Sequence, residues 1–183
     1  HLGRHTPKLV EDLVPKLLPL STLQKVLHNL LEEGVHIRDM RTIVELLTEH
    51  APRTQDAGEL TAVTRVALGR AIVQQFFPNE AELQVMTLNH DLERILVQAV
   101  QSSTANGAGI EPGLADTLLK EARAVAQRQE QLGLPVVLLV PASVRVLLSR
   151  FLRHAIPQLR VISHSEVPDS RAIKVTSILG DKT

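Results

Sequence analysis

The spacing of apolar residues changes once along this chain of 183 residues, near Glu82, and that change limits the folds open to it. Before it, the apolar stripes repeat at helical intervals: Leu9, Val10, Leu13 and Val14, then Leu23, Val26, Leu27, Leu30 and Leu31, then Met40, Ile43, Val44 and Leu47. After it, Leu83 to Leu88 alternates as a strand does. Pro135-Val136-Val137-Leu138-Leu139-Val140 is a continuous apolar run, the pattern of a strand buried on both faces of a parallel sheet. The fold class expected is therefore α + α/β. An all-helical unit over residues 1–78 precedes a small three-layer, Rossmann-like α/β unit over residues 79–183, with a mainly parallel sheet.

Local signals mark the element ends. Thr6-Pro7 reads as a helix start, and Pro15 and Pro19 limit that helix. Ser21-x-x-Gln24 reads as a capping box for a second helix, which Gly34 stops. A third helix is expected from about Asp39 to His50, with Pro52 after it. Asp56-x-x-Glu59 opens a longer helix running to about Phe77. In the second unit, Asn89 caps a helix reaching Gln101, SSTANGAGI (102–110) is a loop, and Glu111-Pro112 begins a long helix that Gly133 ends. A helix from about Ser143 to Ala155 lies between strands at 136–140 and Leu159–Ser163, a right-handed βαβ unit. Ile173 to Leu179 is the last strand. There is no internal repeat.

Composition excludes several functions. Phe76, Phe77 and Phe151 are the only aromatics, so the core must be aliphatic and base-stacking platforms are missing. Twenty basic residues balance twenty acidic ones. The balance is also local, with 9 basic and 10 acidic residues over 1–80, then 11 and 10 over 81–183. Nucleic-acid binding draws on a basic surplus, which is absent. The lack of cysteine fits a reducing compartment and removes thiolate chemistry. No apolar run approaches the roughly 18 residues of a membrane span. A start at His1 rather than Met leads us to expect a fragment of a longer protein.

Chemistry-bearing motifs are missing too. The eight histidines are scattered. His1 and His5 are spaced i, i+4 at a terminus, and no HExxH or acidic cluster accompanies them. No serine lies in GxSxG and no lysine in a phosphate-binding loop. Asn106-Gly107-Ala108-Gly109 lacks dinucleotide-fingerprint spacing. Val140 to Ser143, at the carboxyl end of a parallel strand, is where α/β folds place ligands, but no nucleophile–base pair stands there. The expectation is a protein that is not an enzyme and needs no cofactor or metal.

What remains is charge on helices. Arg38, Asp39, Arg41, Glu45, Arg53 and Asp56 alternate in sign, with Arg65 and Arg70 after them, and Arg41 and Glu45 are spaced to pair. A salt-laced solvated face and a contact surface both fit, since arginine is enriched at protein interfaces. Arg38, Asp39, Arg41, Arg53 and Arg65 are the candidate subunit or partner contacts. Arg145, Arg150, Arg153 and His154 make a basic run that reads either as a solvated helix end or as a dock for an acidic partner. Residues 23–50 also have the outline of a helix-turn-helix, although Glu45 and Glu49 offset Arg41 on its second helix. A transcription regulator with an α/β effector domain and a small α/β enzyme are the alternatives of other classes.

Longer runs carry a resemblance. PKLVEDLVP (Pro7–Pro15), LSTLQKVLHNLLEEGVHIRDMRTI (Leu20–Ile43), RTQDAGELTAVTRVALGRAIVQQFFP (Arg53–Pro78), EPGLADTLL (Glu111–Leu119) and PVVLLVPASVRVLLSRFLRHAIPQLRVIS (Pro135–Ser163) resemble the FHIPEP family of type III export-gate proteins. ALGRAIVQQFFP is closer to its flagellar members than to its virulence-secretion members, which are the alternative within the family. Relative to the flagellar pattern, the loop at Ser102–Ala108 is longer. The resemblance implies the third and fourth cytoplasmic subdomains of a flagellar protein-export component at the cytoplasmic face of the bacterial inner membrane. It implies a membrane-embedded region elsewhere in the protein. It also implies a nine-membered ring of copies meeting partly through the third subdomain, docking of export chaperone–substrate complexes, and contact with other export-apparatus proteins.

Overall fold

In the computed structural model, residues 13–102 and 110–180 are described. The helix expected from Thr6 and the Asn106–Gly109 loop fall mainly outside them. The chain divides into two compact units, 1–75 and 76–183.

The first unit is helical. Helix α1 spans Leu20–Glu32, α2 Met40–His50, α3 Ala57–Ala67 and α4 Gly69–Phe76. Helix α1 buries Leu23, Val26 and Leu30, while Leu31 on the expected stripe is exposed. It begins one residue ahead of the Ser21 box, with Pro19 at the N-cap and no side-chain cap bond. Glu33 is the C-cap and Gly34 follows at φ 75, the left-handed position expected of it. Asp39 caps α2, its carboxylate accepting from Thr42 N at 3.2 Å. Asp56 caps α3 through Glu59 N at 2.9 Å. The return bond of that box is relayed: Glu59 accepts from the Thr54 hydroxyl, which in turn accepts from Asp56 N.

The long helix expected over 56–77 is broken at Leu68. Two features weaken it there. Thr61 and Thr64 donate their hydroxyls to the carbonyls of Ala57 and Leu60, back-bonding that tends to bend helices. Gly69, at the start of the second segment, costs about 1 kcal/mol relative to alanine inside a helix.

The second unit follows the expected order: β1 (Glu82–Leu88), α5 (His90–Ser102), α6 (Pro112–Gln131), β2 (Val137–Val140), α7 (Ala142–Arg153), β3 (Arg160–Ser163), a 3-10 turn (His164–Glu166) and β4 (Ala172–Leu179). All pairings are parallel, in the order β3-β2-β1-β4. Met86, Leu88, Leu138, Val140, Val161 and Leu179 from the sheet share one core with Leu96 of α5, Leu118 and Ala122 of α6, and Val144, Leu148 and Leu152 of α7.

A bulge on β4 sets which side chains face which way. The register with β1 slips between Val85 and Met86, so Val175 pairs with Val85 and Ser177 with Met86. Without the slip, Ile178 would lie on the opposite face from Ile173 and Val175. With it, all three share the face of Leu83 and Val85. The extra residue, Thr176, is held in place: its hydroxyl lies 3.1 Å from the Val85 carbonyl and 2.9 Å from Oε1 of buried Gln129.

Asn89, the residue after β1, ties the sheet to α5. It accepts from Leu92 N at 2.8 Å as the α5 cap, and its amide donates to the Gly180 carbonyl at 3.0 Å. Gly180 has φ 94, and a Cβ there would sit 3.0 Å from Asn89 Oδ1 and 3.2 Å from Leu92. Both backbone strain and crowding demand glycine. Gly180→Ala should therefore destabilise the second unit by roughly 1–3 kcal/mol, seen as a lower melting temperature. Gly113→Ala, whose Cβ would meet only Glu111 at 3.9 Å, should leave the melt unchanged or raise it. Equal melts for the two variants would contradict this account of Gly180.

Candidate functional site

The run from Val35 to Asp39 has no regular structure of its own, yet it forms one wall of a cleft. Gln75, on the last turn of α4, fixes it. Its amide donates to the Gly34 carbonyl, and its Oε1 accepts from His36 N at 3.1 Å. Those bonds replace the ladder that the extended backbone lacks. Between this wall, Ile43 of α2, and Ala71 and Ile72 of α4 lies a mainly apolar hollow of about 160 Å³, with His36, Arg38 and Asp39 at its lining. Ligand pockets run to roughly 300–1,000 Å³. This one is smaller.

The cleft brings Arg38 and Asp39 together, and both are exposed. Asp39 is also engaged as a cap, its second oxygen accepting from the Thr42 hydroxyl at 2.6 Å. Arg41 lies in the first turn of α2, its side chain 74% exposed, and pairs with Glu45 at 3.1 Å as its spacing predicts. A pair this exposed contributes only about 0–1 kcal/mol, so Arg41 stays open to exchange partners. Arg53 is exposed just past α2.

Arg65 is a correction. It was expected among the contacts, but it is wholly buried, with Glu33 at 4.0 Å. A guanidinium taken out of water needs a carboxylate nearby, and the α1 C-cap supplies one. The period of α3 already placed Arg65 one turn from the buried Thr61, and its charge hid that.

The basic run divides in the same way. Arg145 is buried against Glu166, Nε to Oε2 at 3.5 Å, so it is not part of a docking face. Glu166 also accepts from Ser163 N at 3.2 Å within a reciprocal capping box. That places the pair where chain geometry is most demanding. β3 and β4 are opposite edges, and residues 164–171 join them with only a 3-10 turn. The pair fastens the start of this crossover to α7. Ser163-x-x-Glu166 was a legible box signal. Arg150 is exposed and Arg153 half-buried.

The carboxyl end of β2 leads through Pro141 into α7 and presents no nucleophile–base pair. Among the described residues no group of three or more His, Asp or Glu could hold a metal ion. No described helix is long and apolar enough to cross a membrane.

The described residues thus form a helical unit, which carries the cleft, and a parallel α/β unit. The sequence matches the FHIPEP family over residues 1–172, and the chain belongs to that family. It is 56% identical over 181 residues to the flagellar biosynthesis protein FlhA of Salmonella typhimurium, covering 99% of this chain and 26% of that protein. The chain thus spans about a quarter of the length of the curated relatives it matches. In a structure of the Chlamydia pneumoniae CdsV and CdsO complex, the match has a TM-score of 0.86 at 27% identity and covers 97% of this chain and 51% of that one. The nonameric EscV cytosolic domain of a type III secretion system matches with a TM-score of 0.81 at 26% identity, over 98% of this chain and 53% of that one.

The two kinds of arginine should separate experimentally. Glu166→Ala removes the carboxylate beside the buried Arg145 and should cost about 3–5 kcal/mol. Arg150→Ala should stay within about 0.5 kcal/mol. Denaturant melts of both variants measure the difference, and a small loss for Glu166→Ala would show that the pair does not hold the crossover.

Proposed function

We propose that this chain is part of a flagellar protein-export gate component, and that it acts by contact rather than catalysis. The flagellar reading is favoured over virulence secretion by 56% identity to FlhA against 26–27% to EscV and CdsV. Relatives of this kind and balanced charge leave the transcription-regulator alternative without support.

The observation that carries the contact role is the cleft with Arg38 and Asp39 at its lining, flanked by exposed Arg41 and Arg53. An apolar seat edged by charge is how a protein interface combines an anchor with a rim. In this reading the helical unit meets a neighbouring copy in a ring, and the similar EscV cytosolic domain is nonameric. The α/β unit, with exposed Arg150, docks export chaperone–substrate complexes and other export-apparatus proteins. The units correspond to the third and fourth cytoplasmic subdomains. Membrane attachment belongs to another part of the protein.

Arg38→Glu and Arg41→Glu, made in the full-length protein, should each impair swimming in soft agar while the purified variant melts as the parent does. Charge reversal in an interface sets like charges together and can cost several kcal/mol. A solvated position changes by about 0.5 kcal/mol or less. Normal swimming with both variants would reduce this face to a solvated one, and a large fall in melting temperature would make its role internal. A ring contact between unlike surfaces also requires both surfaces. The chain by itself should therefore sediment as a monomer or a weak associator, and a tight oligomer would contradict the assignment.

A further inference from the structure

The strand β4 ends the sheet, its outer edge unpaired by any strand among the described residues. It pairs with β1 on its other side. Ala172, Ile173, Lys174 and Val175 are all exposed. Ile173, Val175 and Ile178 share one face because of the bulge at Thr176, and they are 41%, 48% and 42% exposed. Leu83 and Val85, on the same face of β1, are fully buried. The apolar face therefore runs to the edge and stays uncovered only there.

We propose that β4 is a strand-addition site for an extended segment of another protein. An unpaired backbone edge specifies an extended occupant, because only a strand supplies a matching row of donors and acceptors. Ile173 and Val175, two residues apart, specify branched apolar side chains at alternate positions of that segment. Lys174 projects to the opposite face and is exposed, so a carboxylate on the incoming strand complements it. The same lysine disfavours a second copy as occupant: antiparallel self-pairing through residues 172–175 brings Lys174 close to its own counterpart, and facing like charges destabilise a sheet pair. This site lies in the α/β unit. It goes beyond the ring contact assigned to the helical unit and does not depend on it.

The test uses the 183-residue chain and two labelled synthetic peptides, one alternating valine with aspartate and one alternating valine with lysine. Fluorescence anisotropy gives affinity, and amide hydrogen exchange locates the bound strand. The expected result is preference for the aspartate peptide by about tenfold, with slowed exchange confined to β4. Lys174→Glu should invert the preference. Val175→Lys should abolish binding of the aspartate peptide while the melt is retained. Absence of binding by either peptide, slowed exchange away from β4, or a preference that Lys174→Glu does not change would each overturn the proposal. So would β4 amides that exchange slowly in the full-length protein with no peptide added, since the protein's own chain would then cover the edge.

Discussion

Two arginines are buried among the described residues, one in each unit, and each lies near a glutamate from a neighbouring element. Burial of a guanidinium costs several kcal/mol, so the position of its carboxylate is not free. Arg65 draws Glu33, and with it the end of α1, to α3. Glu33 is followed at once by Gly34, whose left-handed turn starts the wall of the cleft. Arg145 draws Glu166, and with it the start of the β3–β4 crossover, to α7. In a core of aliphatic side chains, which pack well in many arrangements, such pairs help to select one arrangement.

The cleft inherits its shape from that constraint. Its wall is a stretch of irregular backbone fixed from both ends, by the Gly34 turn and by the Asp39 cap. Gln75 fills the gap between them with bonds to Gly34 and His36. A surface so anchored can present Arg38 and the hollow beside it with little reordering, which lowers the entropic cost of meeting a partner. Arg41 needs no such support. Its bond to Glu45 is solvated and exchangeable.

Much of the fold was legible in the residues. The change of period near Glu82, the Asp56 and Asn89 caps, the glycine stops and the continuous run before Val140 all correspond to elements of the structure. What escaped the sequence reading has physical causes. The break at Leu68, where threonine back-bonding and Gly69 weaken the helix, leaves the hydrophobic period intact. The Ser21 box does not form because the helix starts ahead of it, with Pro19 extended at the N-cap and Ser21 already inside the helix. The cleft depends on Gln75 reaching a loop 41 residues away, and no local pattern reports such a bond. Arg65 and Arg145 carry a charge that usually marks surface. Their partners lie 32 and 21 residues distant, beyond any helical pairing rule. The bulge at Thr176, with Gln129 beneath it, was equally hidden, since an alternating strand and a bulged one read alike over so few residues.

The central claim is that the Arg38 cleft meets a neighbouring copy of the protein. The most direct measurement places a photoreactive side chain at position 38 of the full-length protein in swimming cells, with position 128 on exposed α6 as the control. Irradiation should yield a ladder of self-crosslinked species for position 38 and none for position 128. Only monomer at position 38, or equal ladders at both, would contradict the claim.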